Sequence, residues 1–369
     1  MRIGIILTGD YSWAGGVYYS LNIIKLLHAI SLTKNLTVVV IVNSSTPSEL
    51  IDELPKKNIE ISYIDQRPFF YKLYHKLKGD RFVADINSLK LDVIYPLISY
   101  DLLHKKLNCK PFYWIYDFQH KFLPELFLAE EIKKRDQVFE DIATNAADIV
   151  FSSYDSMSHF EKFYSVSKAN KHVYNFISLI DANLNELTNK APAITIDYFI
   201  VCNQFWPHKN HMAVLKALAV IIQNKKIAHV VFTGRNDDER NKKYVDELKV
   251  FIRDNKLENH VTLTGFISRK DQIDLIKNAK AVIQPSFFEG WSTVVEDAKA
   301  LNKFLIVSDI PVNREQIKDN VLFFKPEDHL QLVAHLEKTN KEIPNNITSD
   351  YKKNIEISKQ DLNKLFKIN

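Results

Sequence analysis

The sequence predicts an α/β protein of two consecutive doubly wound domains, each a parallel sheet covered by helices on both faces. Three observations carry this. Short apolar runs rich in Val and Ile alternate with helical stretches, the pattern of strands buried on both faces. The alternation stops once, at a polar segment over 181–193, and restarts beyond it. At 369 residues the chain exceeds one small core, so two domains are the natural expectation.

Taken in order, strands are expected at Ile3–Leu7, Leu36–Val42, Ile59–Ile64, Val93–Tyr95, Phe112–Tyr116, Asp148–Ser152 and His172–Phe176, with helices over Val17–Ile30 and Leu126–Ala147 between them. After the linker come Tyr198–Cys202, His229–Thr233, His260–Leu263, Ala281–Gln284, Phe304–Ser308 and Val321–Phe324. The helices His211–Gln223, Lys242–Asp254 and Asp271–Asn278 fall between them, as does a segment from Val294 to Leu301. Pro326, followed by Glu327 and Asp328, suits a first helical position. The expected domains are 1–180 and 194–345, joined by a linker at 181–193 and closed by a helical segment over 346–369. A ligand cleft is expected between the two domains.

Composition narrows the function. Apolar residues make up 46% and charged residues 25%, as in ordinary soluble proteins, and a net charge of +4 does not indicate a nucleic-acid partner. The two cysteines, Cys109 and Cys202, have no metal-type spacing, which points to a reduced cytoplasmic setting. The first apolar run, from Ile3 to Leu7, is too short for a signal peptide, and no run of about 18 apolar residues exists to span a membrane.

The chemistry-bearing residues sit where expected strands end. In open α/β sheets ligands bind at the carboxyl ends of strands. Glu289 leaves such a strand, followed by Gly290 and Trp291, and Ser292 and Thr293 open the next helix. Lys209 ends the loop after Tyr198–Cys202, just before a helix, where its ammonium and the exposed amides can share a diphosphate. Gly234 and Arg235 follow one strand, and Gly265, Phe266 and Ile267 follow the next, in turns suited to binding a base through main-chain groups. In the first domain, Gly15 and Gly16 precede a helix, and their alternative reading is a flexible turn. Asp117, Gln119 and His120 leave a strand together, and His120 suits a sugar hydroxyl or a phosphate.

The neighbouring acids Glu296 and Asp297 separate by helical angle. With Val294 at zero, Ala298 and Leu301 fall within about 40° of it, Asp297 lies about 60° from that stripe's centre and Glu296 about 160° away, beside Lys299. Glu296 is therefore read as a solvated acid in a capping box opened by Thr293. Asp297 is read as facing the interior, where a carboxylate needs a partner such as a ribose diol.

These residues resemble the retaining nucleotide-sugar glycosyltransferases of family 4, with the GT-B fold of two Rossmann-like domains. The similarity is carried by 288–297 around Glu289, by 203–211 around Lys209, and by 308–315 from Ser308 to Glu315. It implies that Glu289 holds the donor sugar's hydroxyls, with Gly290 and Trp291 beside it, and that Asp297, usually a glutamate, holds the ribose. It also implies that Lys209 meets the diphosphate, although the family's arginine position falls on Gln204. His208 and Arg235 are then candidates to assist. His120 matches the histidine beside the donor sugar, and Gly16, in the acceptor-binding first domain, the amino-terminal glycine loop near the donor's diphosphate. The co-substrate implied is a UDP-, GDP- or dTDP-sugar, with no bound cofactor and no metal required. The acceptor implied is a saccharide or lipid-linked glycan, as in cell-surface polysaccharide or lipopolysaccharide biosynthesis.

Arg67, Lys72, Lys76, Lys78 and Arg81 are interleaved with aromatics, a pattern suited to the anionic inner leaflet of a membrane. It suits equally an amphipathic helix packed on the sheet. A sugar-nucleotide epimerase, a glycan phosphorylase or a non-catalytic nucleotide-sugar binder would share the fold.

Overall fold

The computed structural model describes residues 1–7, 14–44, 46–64, 81–98, 105–180, 194–235, 242–343 and 350–368. The expected linker at 181–193 and all but Arg81 of the basic, aromatic stretch lie outside the described residues. The chain forms two compact units: Met1–Ile177 with Lys352–Asn369, and Ser178–Tyr351.

Among the described residues the first unit is built on seven parallel strands, β1 (Arg2–Ile6), β2 (Thr37–Val42), β3 (Ile59–Tyr63), β4 (Val93–Leu97), β5 (Lys110–Ile115), β6 (Asp148–Phe151) and β7 (Asn170–Val173). Their order is β3-β2-β1-β4-β5-β6-β7, so the direction of winding reverses between β1 and β4. The middle strands bury nearly every side chain, which is why they read as unbroken apolar runs. From Lys352 on, the carboxyl-terminal helix Tyr351–Phe366 belongs to this unit. It buries Leu362, Leu365 and Phe366, sets the Phe366 ring edge-on against Tyr95 and Phe112, and pairs Ser358 Oγ with Tyr174 Oη at 2.8 Å.

The described residues of the second unit form six parallel strands, β8 (Phe199–Cys202), β9 (Val230–Thr233), β10 (Val261–Gly265), β11 (Val282–Gln284), β12 (Leu305–Ser308) and β13 (Val321–Phe324), in the order β10-β9-β8-β11-β12-β13. Alternate residues feed two cores. Phe199, Val201, Phe232, Ile283 and Ile306 pack with Val214 and Leu218 of helix His211–Gln223 and with Leu332 and Leu336 of helix His329–Lys341. On the other face, Ile200, Cys202, Val282 and Val307 pack with Ile276 of helix Arg269–Asn278 and with Val294, Val295 and Ala298 of helix Thr293–Ala300.

Several expected boundaries move. Helix Ala14–Ser31 starts earlier than expected, so Gly15 and Gly16 lie in its first turn instead of preceding it, and a Cβ at Gly15 would meet open space. The helix expected from Leu126 starts at Ala129, because Pro124 opens a separate short turn and Phe127 and Leu128 run extended. Pro326 does not begin a helix. Asp328 caps His329–Lys341 by accepting from the Gln331 amide at 2.9 Å.

Candidate functional site

In the second unit β8 and β11 lie side by side, and the winding reverses between them. Loops leaving these two carboxyl ends diverge and leave the crevice that open α/β sheets use for ligands. Lys209 lies on the loop after β8 and Glu289 on the loop after β11. Their side chains meet, Nζ to Oε1 at 2.7 Å, with both largely buried. Glu289 Oε1 also accepts from Gln284 Nε2 at 2.6 Å, and Gln284 Oε1 accepts from Asn203 Nδ2 at 3.0 Å. A carboxylate so enclosed needs partners of this kind. Gln284 and Asn203, the last residue of β11 and the first after β8, thus brace the pair from below. The loops are stitched together by the Phe287 amide on the His208 carbonyl at 2.8 Å. Asn210, in a left-handed turn at φ 54°, adds bonds from its side-chain amide to the Pro285 and Pro326 carbonyls.

Gly234, after β9, donates its amide to the Gly265 carbonyl at 3.0 Å. At φ 145° a Cβ there would lie 2.1 Å from the Asn203 carbonyl oxygen, so only glycine lets the two loops approach. Gly234→Ala is expected to destabilise this unit by at least ~1–3 kcal/mol and to displace Asn203. A lower Tm together with weakened nucleotide-sugar binding would show it. Arg235 holds its guanidinium 5.7 Å from the centre of the Phe266 ring, which is half exposed, and Ile267 follows it half-buried.

Helix Thr293–Ala300 is capped by Ser292, whose Oγ accepts from the Val295 amide. The cap lies one residue before the expected one, which removes the capping-box role read for Glu296. Nor is Glu296 solvated. It is fully buried and accepts from Lys299 Nζ at 2.7 Å, Gln316 Nε2 at 3.0 Å and Tyr351 Oη at 2.8 Å. Burial, with Glu296 adding to it, pushes the Tyr351 phenol well up, so it stays protonated and donates. Asp297 is buried as expected, and its partners lie within the protein. Arg269 donates to both oxygens at 2.6 and 2.5 Å, and Ser178 Oγ to one of them at 2.5 Å. Gln316 also brackets Ser292, accepting from its amide and donating to its carbonyl. Gly290 and Trp291 are half-buried, with the Lys299 ammonium 6.0 Å from the indole, and Thr293 opens the helix.

In the first unit His120 sits on a four-residue helix just past β5, with Asp117 Oδ1 accepting from the Gln119 amide at 3.1 Å. Its Nε2 lies 3.0 Å from Asp136 Oδ1. Gly16 is buried in helix Ala14–Ser31 of the same unit.

Burial lowers the imidazole pKa at five of the described histidines, His120, His159, His208, His211 and His229. The imidazole pKa falls to about 4 at His120 and about 3 at His211, and well below its ordinary value at His208. Unfolded, each takes up a proton near pH 6.5. Between pH 6.5 and pH 4 the unfolded chain therefore binds more protons, and stability falls as pH falls. Melting curves should show full stability above pH 6.5 and a steady loss below it. His211→Phe, facing the Phe205 ring stacked at 4.5 Å, should flatten that slope.

The structure thus joins Lys209 to Glu289, Arg235 to Phe266 and Asp297 to Arg269. Gln284, Asn203, Arg269, Ser178 and Gln316 were not read from the sequence. Only Gln284, a polar residue ending a buried strand, offered a signal. Burial raises the Cys109 and Cys202 thiols to about 11 and 12, and both are free. Among the described residues no three His, Cys, Asp or Glu side chains gather as a metal site, and no helix is long and apolar enough to cross a membrane.

Residues 190–355 match the family described as Glycosyl transferases group 1. The O-antigen chain mannosyltransferase RfbU of Salmonella typhimurium is 26% identical over 226 residues, 60% of this chain and only 56% of that protein. Sucrose-phosphate synthase from Thermosynechococcus elongatus superposes over 99% of this chain and 94% of its own, with a TM-score of 0.67 at 14% identity. HepE from Anabaena, solved in complex with UDP and glucose, superposes over 100% and 95%, with a TM-score of 0.64 at 15% identity. The chain therefore has the GT-B fold, and its second half is similar to the glycosyl transferases of group 1 over residues 190–355.

Proposed function

We propose that the protein is a retaining, nucleotide-sugar-dependent glycosyltransferase that passes a hexosyl group to a saccharide or lipid-linked glycan in cell-surface polysaccharide or lipopolysaccharide assembly. The Lys209–Glu289 pair at the switch point of the second sheet is the observation that carries it. In this reading the anomeric C–O bond breaks with its electron pair going to the diphosphate, and the acceptor oxygen bonds the anomeric carbon on the same face. The leaving phosphate takes the acceptor's proton. Lys209, with the amides opening helix His211–Gln223, meets the negative charge that develops on the diphosphate. Glu289, still braced by Gln284, takes the sugar hydroxyls. Arg235, Phe266, Ile267, Gly234, Ser292 and Thr293 line the nucleotide, Asp297 exchanges its Arg269 and Ser178 donors for the ribose, and Gly290 and Trp291 line the sugar.

The names of RfbU and of the UDP–glucose complex support a hexosyl nucleotide as donor. The test is a thermal-shift screen against UDP-, GDP- and dTDP-sugars, then nucleotide release with a glycan acceptor in the presence of EDTA. Release that survives EDTA and falls in Glu289→Ala is expected. Donor epimerised without acceptor, followed by NMR, would move the assignment to an epimerase, and binding without turnover to a sensor. Peripheral attachment to the inner leaflet is part of the same proposal. Liposome flotation should weaken when Lys72, Lys76 and Lys78 are reversed in charge.

A further inference from the structure

We infer that the second unit carries a clasp at its two ends, each held by one of two neighbouring acids on helix Thr293–Ala300, and that a bound nucleotide works the clasp through Ser178. The unit begins at Ser178 and ends at Tyr351. Asp297 holds the first end, accepting from Ser178 Oγ at 2.5 Å, and Glu296 holds the second, accepting from Tyr351 Oη at 2.8 Å. The two ends are also joined to each other, because the Ser178 amide donates to Tyr351 Oη at 3.0 Å across 173 positions of sequence. The clasp stands on these contacts, whereas its response to a nucleotide rests on the reading of Asp297 as the residue that meets the ribose.

Each group in the clasp has a fixed role. A backbone amide only donates, so the Tyr351 phenol accepts from Ser178 and gives its single proton to Glu296. Burial, with Glu296 adding to it, keeps that proton on the phenol oxygen. Glu296 Oε1 is taken by Lys299 Nζ at 2.7 Å and Gln316 Nε2 at 3.0 Å, which leaves Oε2 to Tyr351. Ser178 Oγ gives its own proton to Asp297 and accepts from Arg269 Nη2 at 3.4 Å. Adjacent residues of a helix point about 100° apart, which lets one turn reach both ends of the unit. A ribose hydroxyl on Asp297 displaces Ser178 Oγ and so removes the shortest hold on the unit's first residue. The Tyr351 phenol, bonded to that residue's amide, registers the loss. Linkage makes the effect reciprocal: whatever loosens the clasp makes Ser178 easier to displace, and the nucleotide binds more tightly.

NMR of the full chain with its tyrosines ¹³C-labelled at Cζ tests this, the Tyr351 signal being assigned by its absence in Tyr351→Phe. Ser178→Ala keeps the amide and loses the hydroxyl, and before any ligand is added it should already move the Tyr351 signal. Whichever of the UDP-, GDP- and dTDP-sugars gives the largest thermal shift should move that signal in the wild type and leave it in place in Ser178→Ala. Ser178→Ala and Tyr351→Phe should each lower the Kd for that nucleotide sugar about fivefold or more, the low end for coupled sites. The double variant should bind no more tightly than either single one, because both open the same clasp. A Tyr351 signal indifferent to Ser178→Ala would overturn the inference, as would single effects on Kd that multiply in the double variant, or an unchanged Kd in both. A signal moved by Ser178→Ala, in a protein that no nucleotide sugar stabilises, would uphold the clasp and remove the glycosyltransferase reading instead.

Discussion

Lys209→Ala is expected to lower the rate of sugar transfer by about 10²- to 10³-fold, the range for removing one fixed donor from a developing oxyanion. The ammonium sits at the end of a short turn, Pro207–Lys209, held between β8 and helix His211–Gln223. Rigidity is what makes it useful, because a charge already in place needs no reorganisation as the diphosphate departs. Lys209 is paired with Glu289 at 2.7 Å, so removing it also leaves Glu289 with one fewer donor. Gln284, at 2.6 Å, still holds that carboxylate, and the fold should survive. Lys209→Ala should therefore melt below the wild type, by less than Arg269→Ala because Glu289 is the more exposed carboxylate, and stay folded at the assay temperature while turnover with the true donor collapses. Turnover preserved within a few-fold would remove Lys209 from the leaving-group role.

Arg269→Ala is expected to destabilise the second unit by about 3–5 kcal/mol, the cost of leaving a buried carboxylate without its cation. Asp297 keeps 2% of its side chain exposed, and Arg269 donates to both of its oxygens. Ser178 Oγ alone cannot neutralise the charge. Since ~1 kcal/mol moves Tm by roughly 2–4 °C in a domain of this size, a fall on the order of 10 °C should be measured. Adding Asp297→Asn should restore part of it by removing the orphaned charge. An unchanged Tm for Arg269→Ala would mean that the pair does not hold the helix in solution.

Glu296 shows where reading by helical angle fails. The angle correctly put it far from the stripe of Val294 and Ala298, and solvent was the wrong inference from that. Helix Thr293–Ala300 is covered on its far side as well, by Gln316 and Tyr351, which supply donors from 20 and 55 residues away. The burial of Asp297 followed from its angle, whereas its partners Arg269 and Ser178, 28 and 119 residues distant, left no local trace.

Among the described residues the central strands were legible because a parallel strand buried on both faces must be apolar along its length, a local demand that one stretch of chain meets alone, whereas the edge strands β3 and β7 are partly exposed and carry polar residues. From the strand pattern and loop chemistry followed Glu289 and Lys209 as residues at strand ends. Only the folded chain brought those two into one ion pair braced by Gln284 and Asn203. It also gave Asp297 to Arg269, and set Asp136 against His120. Pairing between charges depends on distances that close only when separate segments pack, and the composition of any one segment does not encode them.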